Sequence, residues 1–459
     1  MNNATIRLQS IELNNFKNIE HGKIDFNSYK KKTYYENKPE IIGIYGQNGS
    51  GKTSVINALE LLKVLIEGKS LPENMKDYIY QLSDTTTLKF VFYIENKSKN
   101  EFKYLIDYEF SIKRENDSYS FSSEKLSYKE ISGKGKTTII EVNDANKKTP
   151  ILPVKRYNEL IRLNKENEID IQVTKKICKK ANTSFIFHED IINMLENHAN
   201  IDYFTIMQTL KYFITVNLFV ISNKYSANTS LNFMPISFRI QEENKIAVGD
   251  IPVNLTKETS INKSGLRIVT KVLEQMNIVL GKIIPNLEVE AIETGKDYND
   301  KGQELIKVEM FSIRGNIKVP LRYESEGIKK IISILSTLIS VFNDSSVCLA
   351  VDELDSGIFE FLLGELLEIL DKHGRGQIIF TSHNLRALEK LPKDSIIIST
   401  ANSNNRFIRI PNVKASNNLR DIYLRSIDLG GLNEPIYEST SAYEISHAFR
   451  KAGIAFGKK

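Results

Sequence analysis

Gly46-Gln47-Asn48-Gly49-Ser50-Gly51-Lys52-Thr53 carries the most explicit chemistry in this chain. Its glycines let the backbone wrap so that successive N–H groups point inward, and a following helix adds the positive end of its dipole. Such a cradle suits phosphate oxygens, and the pattern G-x-x-x-x-G-K-[ST] is complete. Lys52 is expected to bridge the β- and γ-phosphates of ATP, and the Thr53 hydroxyl to ligate Mg²⁺. Every residue from Gly46 to Thr53 is therefore a candidate nucleotide-binding residue; Lys52 is also a catalytic candidate and Thr53 a metal ligand.

Two further segments end in groups of the right kind. Val347-Cys348-Leu349-Ala350-Val351-Asp352-Glu353 is an apolar run closing on two acids. A buried strand needs no acids, but at the carboxyl edge of an open α/β sheet they face the ligand crevice. Asp352 would hold Mg²⁺ through its water shell, and Glu353 would orient and deprotonate the attacking water. Taken alone the run also fits a strand followed by an acidic turn. Gln377-Ile378-Ile379-Phe380-Thr381-Ser382-His383-Asn384 is built alike and puts His383 at the same edge, in reach of a γ-phosphate. A histidine at a helix start also serves as a local cap partner, and both readings stay open.

The elements that must position these groups follow from periodicity. A buried-type strand, Glu40 to Tyr45, precedes the glycine loop, and Val55, Leu59 and Leu62 after it repeat at helical spacing. The opening, 5–13 and 22–26, reads as a strand pair, and 86–143 alternates with period two as an antiparallel meander. Residues 155–220 read as mostly polar helix, with another helix over 262–284 and strands over 287–294, 304–314 and 316–321. The last third alternates helix and strand (326–342, 347–351, 358–371, 377–381, 384–390, 395–399), the signature of a parallel sheet covered by helices. The helix from Ile328 groups Ile331, Leu335, Leu338 and Phe342 on one face. At its start Ser325 and the Gly327 backbone can donate to a γ-phosphate across an interface; the alternative is simple capping by Ser325.

In order, the glycine loop, Ser325-Glu326-Gly327, Asp352-Glu353 and His383 resemble the ABC-type ATPase heads of the RecF, SMC and OLD families. Leu13-Asn14-Asn15-Phe16-Lys17-Asn18-Ile19 is similar to their first hairpin. The resemblance spans about 1–110 and 300–410. It implies an α/β fold: a P-loop ABC-type ATPase head with a mixed sheet, an antiparallel β subdomain and a helical insertion. The expected division is 1–150 for the N-terminal ATPase lobe with the meander, 151–285 for a mainly helical insertion, and 286–459 for the C-terminal lobe. The resemblance also implies that Ser325 and Gly327 complete the ATP site of a second protomer, giving homo-oligomers through ATP-sandwich dimers, and that Asp355 matches the loop crossing that seam. Ser325-Glu326-Gly327 departs from the commoner signature of two adjacent small residues followed by a polar one. Gln81 is a Q-loop candidate by position alone.

The closing segment, Tyr423 to Gly431, resembles the tail of stand-alone ATPases from bacterial anti-phage systems such as PARIS, which work beside a separate effector. That implies a sensor ATPase answering a phage protein and controlling an effector, a nuclease or toxin, in another chain. The alternative is a RecF- or SMC-like DNA repair or recombination ATPase that binds DNA. The stretch after His383 is too short for the toprim nuclease of OLD proteins, and no long heptad array marks an SMC arm.

Composition narrows the rest. With 62 Lys+Arg against 57 Asp+Glu the net charge is only +5, which does not announce a nucleic-acid binder. Two distant cysteines, Cys178 and Cys348, make neither a disulfide framework nor a zinc site. The first residues lack the basic and apolar regions of a signal peptide, and no apolar run is long enough to span a bilayer. A cytoplasmic protein without membrane contact is expected.

Overall fold

A computed structural model describes residues 4–33, 38–96, 102–116, 118–144, 149–198, 200–222, 233–242, 245–254, 257–411, 418–429 and 434–456. Asp117, within the expected meander, and Gly430 and Gly431 of the closing segment lie outside them.

Six strands form the sheet that carries the glycine loop: β3 (Glu40–Tyr45), β8 (Leu218–Ile221), β15 (Cys348–Val351), β16 (Gln377–Thr381), β17 (Ile396–Ser399) and β18 (Phe407–Ile408), in the order β18-β17-β3-β16-β15-β8. All neighbours are parallel except β17 and β18. Their sequences are nearly continuous apolar runs because both faces are covered. The pleat then deals alternate residues to opposite cores. Ile42, Ile44, Cys348, Ala350 and Ile379 join one cluster with Val55, Leu59 and Leu62 of the Lys52–Ile66 helix. Ile41, Tyr45, Leu349, Val351, Ile378 and Phe380 join the other. There they meet Leu335 and Leu338 of the Glu326–Asn343 helix and Leu363 and Leu367 of the Glu360–His373 helix.

The first cluster is roofed by an antiparallel sheet, in which the hairpin of β1 (Ala4–Phe16) and β2 (Ile19–Asp25) continues into β4 (Thr85–Asn96), β5 (Phe102–Arg114), β6 (Tyr119–Glu130) and β7 (Thr137–Asn143). The four helices of 154–212 bury Leu160, Ile171, Ile191, Leu195, Ile206 and Leu210 into that same cluster. Fully buried Glu124 locks them on: it accepts from the Tyr108 and Ser184 hydroxyls and the Phe185 and Ile186 N–H groups. Burial nonetheless holds its carboxyl above the usual carboxylate range.

The stretch after 217 differs from the helical expectation for 155–220 and from a mainly helical 151–285. Leu218–Ile221 is the edge strand β8, and β9 (Phe233–Glu242) and β10 (Lys245–Asn254) form a hairpin whose Phe238, Ile240 and Val253 pack into the second core cluster. A four-residue apolar run directly after a helix has no period of its own, so periodicity could not detach it. The helix at Lys263–Ile283 and the sheet of β11 (Thr259–Ile261), β12 (Leu287–Tyr298), β13 (Glu304–Arg314) and β14 (Ile317–Pro320) follow, and strands lie where the alternation over 287–321 predicts them. No helix among the described residues is long and apolar enough to cross a membrane.

One polar seam joins the two large sheets. Arg7, only 1% exposed, donates to the Arg375 carbonyl and, at 3.0 Å, to Glu40 Oε2. Gln377 exchanges two 2.8 Å bonds with the Leu8 backbone and also donates to Glu40. Removing one partner from such a buried pair strands a charge, so Glu40→Ala is expected to lower the unfolding free energy by about 3–5 kcal/mol, read by urea unfolding followed by circular dichroism. A loss below about 1 kcal/mol would show that the seam does not need its carboxylate.

Candidate functional site

The glycine loop leaves β3 and enters the Lys52–Ile66 helix at the carboxyl edge of the parallel sheet. Two of its glycines are required by geometry. Gly46 has φ +152°, and a methyl group there would lie 2.5 Å from the Ser399 carbonyl oxygen. Gly51 caps the helix at φ +94°, a left-handed conformation that L side chains rarely adopt. Neighbours clamp the loop from outside: Ser399 Oγ donates to the Ser50 carbonyl, and Asn18, in the turn of the β1–β2 hairpin, donates to the Gly49 carbonyl. Arg406 holds that turn by donating to the Asn18 carbonyl at 2.6 Å.

Lys52 curls back over the loop, donating at 2.9 Å to the carbonyls of both Gly46 and Gln47. Burial pulls its pKa down, while Asp352, Glu353 and Asp355 oppose that. The ammonium is thus held against carbonyls of the loop itself.

The acids arrive from β15. Asp352 is 1% exposed; its Oδ1 accepts from Thr381 Oγ1 at 2.6 Å and from Thr53 Oγ1 at 3.2 Å. Its backbone N–H is spent on the Ile221 carbonyl, so β8 sets its height above the sheet. Burial raises its pKa against the pull of those hydroxyls. Oδ2 is buried with no hydrogen-bond partner among the described residues. An orphaned carboxylate oxygen beside a threonine hydroxyl is the hard-oxygen pair that Mg²⁺ takes when it keeps most of its waters, so these residues fit the ion. Among the described residues there is no cluster of three or more His, Cys, Asp and Glu arranged for a metal; a nucleotide-bound Mg²⁺ needs none.

Glu353 stands at φ +48°, uncommon for a residue with a Cβ. Its backbone N–H donates to Thr381 Oγ1 at 2.7 Å, and the residue is exposed at the sheet edge. Asp355 Oδ2 accepts the His383 backbone N–H at 3.0 Å. Burial and the Lys52 charge lower the His383 pKa, with the three acids opposing, so the neutral imidazole is favoured. The structure thus brings residues 46–53, Asp352, Glu353 and His383 to one edge.

It does not bring Ser325 there by any hydrogen bond within the described chain. Ser325 is exposed and caps the Glu326–Asn343 helix, its Oγ accepting from Ile328 N–H at 3.3 Å. Gly327 abuts the turn after the acids, where an added methyl would come within 2.0 Å of the Gly357 carbonyl oxygen. Gln81 sits on an exposed turn ahead of β4. Sequence reasoning gave no role to Thr381, although its motif was plain, because a threonine closing a strand says nothing about which carboxylate it meets. It also missed Ser399, Arg406 and the tail, where Glu438 N–H donates to Gln47 Oε1 at 3.0 Å. These are contacts across hundreds of residues with no local signal.

Thr381→Val keeps the shape and deletes the hydroxyl that orients both acids. It is expected to weaken Mg²⁺-dependent nucleotide binding by about tenfold or more while leaving binding in EDTA unchanged, as measured by titration calorimetry.

A family model described as "AAA domain, putative AbiEii toxin, Type IV TA system" matches residues 41–389. No curated protein matches the chain. Among solved structures, an Smc head domain with an extended coiled coil, bound to the C-terminal domain of ScpA from Pyrococcus furiosus, is 12% identical, with TM-score 0.40 over 88% of this chain and 96% of that one. The SMC head domain from Thermotoga maritima is 12% identical, with TM-score 0.34 over 88% and 99%. The recombination mediator RecF with ATP is 13% identical, with TM-score 0.32 over 83% and 94%. Since the family match runs from β3 past His383 and takes in the glycine loop, the acidic strand end and the helix at Ser325, the chain belongs to the AAA-domain family described as putative AbiEii toxin of Type IV toxin–antitoxin systems.

Proposed function

We propose that this protein is a nucleotide-gated switch: it binds ATP in the loop 46–53, hydrolyses it slowly, and uses ATP to join two copies. The observation that carries the reading is the chain of contacts from Thr53 through Asp352 and Thr381 to the Glu353 backbone, which ties the phosphate loop to an exposed acidic residue at one sheet edge.

Each group has a definable task. The N–H groups of the loop and the Lys52–Ile66 helix receive the phosphates, and Lys52 leaves the Gly46 and Gln47 carbonyls for phosphate oxygens. Thr53 and Asp352 would hold Mg²⁺, which when bound neutralises charge on the phosphates. Glu353 orients the attacking water and takes its proton. His383, neutral and fixed to Asp355 through its backbone, offers a ring nitrogen toward the terminal phosphate. Ser325, exposed at a helix N-terminus, is placed to donate to a nucleotide on another copy. ATP bound by two protomers favours the joined state by the difference in its affinity for the two states.

By resemblance to stand-alone ATPases of bacterial anti-phage systems, the joined and separated states would hold or release a separate effector, a nuclease or toxin, in response to a phage protein; the resemblance to ABC-type heads would put Asp355 at the seam. On this reading the site would carry binding, hydrolysis and association, and the effector would supply any further chemistry. The family description, a toxin of a toxin–antitoxin system, supports a role in such conflict systems.

Glu353→Gln should retain ATP and accumulate an ATP-dependent dimer in light scattering, with phosphate release reduced by about a hundredfold or more. Turnover at the wild-type rate would place the base elsewhere. Adding Ser325→Arg to that variant should return it to monomers while its thermal midpoint falls only by the small amount expected of a lost cap. A dimer that persists would remove Ser325 from the interface.

A further inference from the structure

The last helix of the chain, Ala442–Phe456, is amphipathic and uncovered. Ile445, Phe449 and Ala452 follow one another at i, i+4 and i+7, so their side chains share one stripe. Every residue from Ala442 to Gly453 is nevertheless exposed, Phe449 to 77%. A helix of this length draws most of its stability from burying such a face, because backbone propensity alone leaves it marginal in water. Its own chain leaves that face open to solvent. Just ahead of it, Glu438 is tied to Gln47 of the phosphate loop, and residues 439–441 span at most about 10 Å. The helix therefore starts close to that loop and runs out into solvent.

A groove of matching kind lies open elsewhere on the molecule. Three helices, Lys263–Ile283, Glu326–Asn343 and Glu360–His373, enclose about 380 Å³ lined by Ile283, Leu335, Ile339, Phe342, Leu366 and Ile369. That volume lies within the range of about 300–1,000 Å³ usual for binding clefts. A helix laid in such a groove offers anchors at i, i+4 and i+7, the spacing of Ile445, Phe449 and Ala452.

Charge decides the occupant. The Glu360–His373 helix holds Glu360, Glu365, Glu368 and Asp371 against a single lysine, Lys372. Lys372 and Lys390 both bind Glu368, and Glu365 stands exposed on the rim of the groove. The tail has the opposite balance: from residue 442 onward Arg450, Lys451, Lys458 and Lys459 stand against one acid, Glu444. Arg450 and Glu444 flank the apolar stripe on opposite sides. The groove offers Glu365 from one wall and Lys282 from another.

We propose that the Ala442–Phe456 helix of one copy lies, apolar stripe down, in the three-helix groove of a second copy, with Arg450 at Glu365 and Glu444 at Lys282. The two surfaces differ, so the contact is heterologous and closes when each copy gives its tail to the other. It does not involve nucleotide, and it goes beyond the ATP-joined state proposed above. Each tail is one short helix face, small beside a standard interface of about 1,200–2,000 Å², so the contact is weak and shows itself at high protein concentration. At low micromolar protein the nucleotide seam is read without it.

The test is sedimentation velocity of the full-length protein without nucleotide, from about 5 to about 200 µM. Wild type should pass from monomer to dimer across that range. Phe449→Asp and Ile369→Asp, both at exposed positions, should each weaken association about tenfold or more with the thermal midpoint unchanged. Mixing the two is decisive. Labelled Phe449→Asp chains keep a groove, Ile369→Asp chains keep a tail, and together they should associate through one contact where neither does alone. Glu365→Lys should also weaken association, and Arg450→Glu added to it should restore it, which guards against a variant that fails to fold. A wild type that stays monomeric throughout overturns the inference; if Phe449→Asp then raises hydrogen exchange over 335–342, the occupant is the chain's own tail. Association that survives both single substitutions, or a mixture no better than its parts, overturns it as well. With no nucleotide present, none of these outcomes touches the ATP-dependent dimer, which the Glu353→Gln variant reports separately.

Discussion

Asp352 is a carboxylate placed at the end of a fully buried strand, and the surrounding structure is arranged to make that tolerable. A charge removed from water is costly unless hydrogen bonds or opposite charges replace the solvent. Here two threonine hydroxyls, from the loop helix and from β16, replace part of it, and Lys330 supplies field from a third element. One oxygen is still left without a hydrogen-bond donor. The burden is met only when β3, β15, β16 and the Glu326–Asn343 helix are all in place, so the site and the sheet that carries it are formed together.

That dependence explains features that look peripheral. β8, reached only after the whole helical stretch, pins the Asp352 backbone through Ile221. The helical segment therefore feeds the site its outermost strand and cannot be viewed as an ornament on a finished core. The seam of Arg7, Glu40 and Gln377 does comparable work at the opposite end of β3 and β16, fixing the antiparallel sheet over the Lys52–Ile66 helix. Through it the hairpin turn at Asn18 is brought over the glycine loop. Buried polar networks of this kind specify one arrangement of layers where apolar contact alone would accept several.

The neighbourhood of Gly327 and Gly357 joins two roles that the chain keeps separate in sequence. A side chain at Gly327 would collide with the Gly357 carbonyl, so only a bare backbone lets the helix bearing Ser325 sit directly on the turn bearing the acids. A rigid helix in van der Waals contact with the acid-bearing turn transmits small displacements, because packed interiors are not continuously deformable. The helix bearing Ser325 and the turn bearing the acids are thus packed as one unit within a single chain.

Sequence by itself determined what depends on consecutive residues. The glycine loop is legible because all its atoms come from eight neighbours, and β3, β15 and β16 are legible because strands covered on both faces must be apolar throughout. The meander shows its period, and so does the buried face of the helix from Ile328. The hairpin of β9 and β10 also had a visible alternation, Ile236-Ser237-Phe238-Arg239-Ile240, masked by the helical reading of its surroundings. Only tertiary structure decided which groups meet: that Thr381 holds Asp352 and Glu353, that Leu218–Ile221 completes the sheet, and that Glu438 reaches Gln47. Those pairings are set by chain reversals, and the energy of each depends on burial that no local window contains.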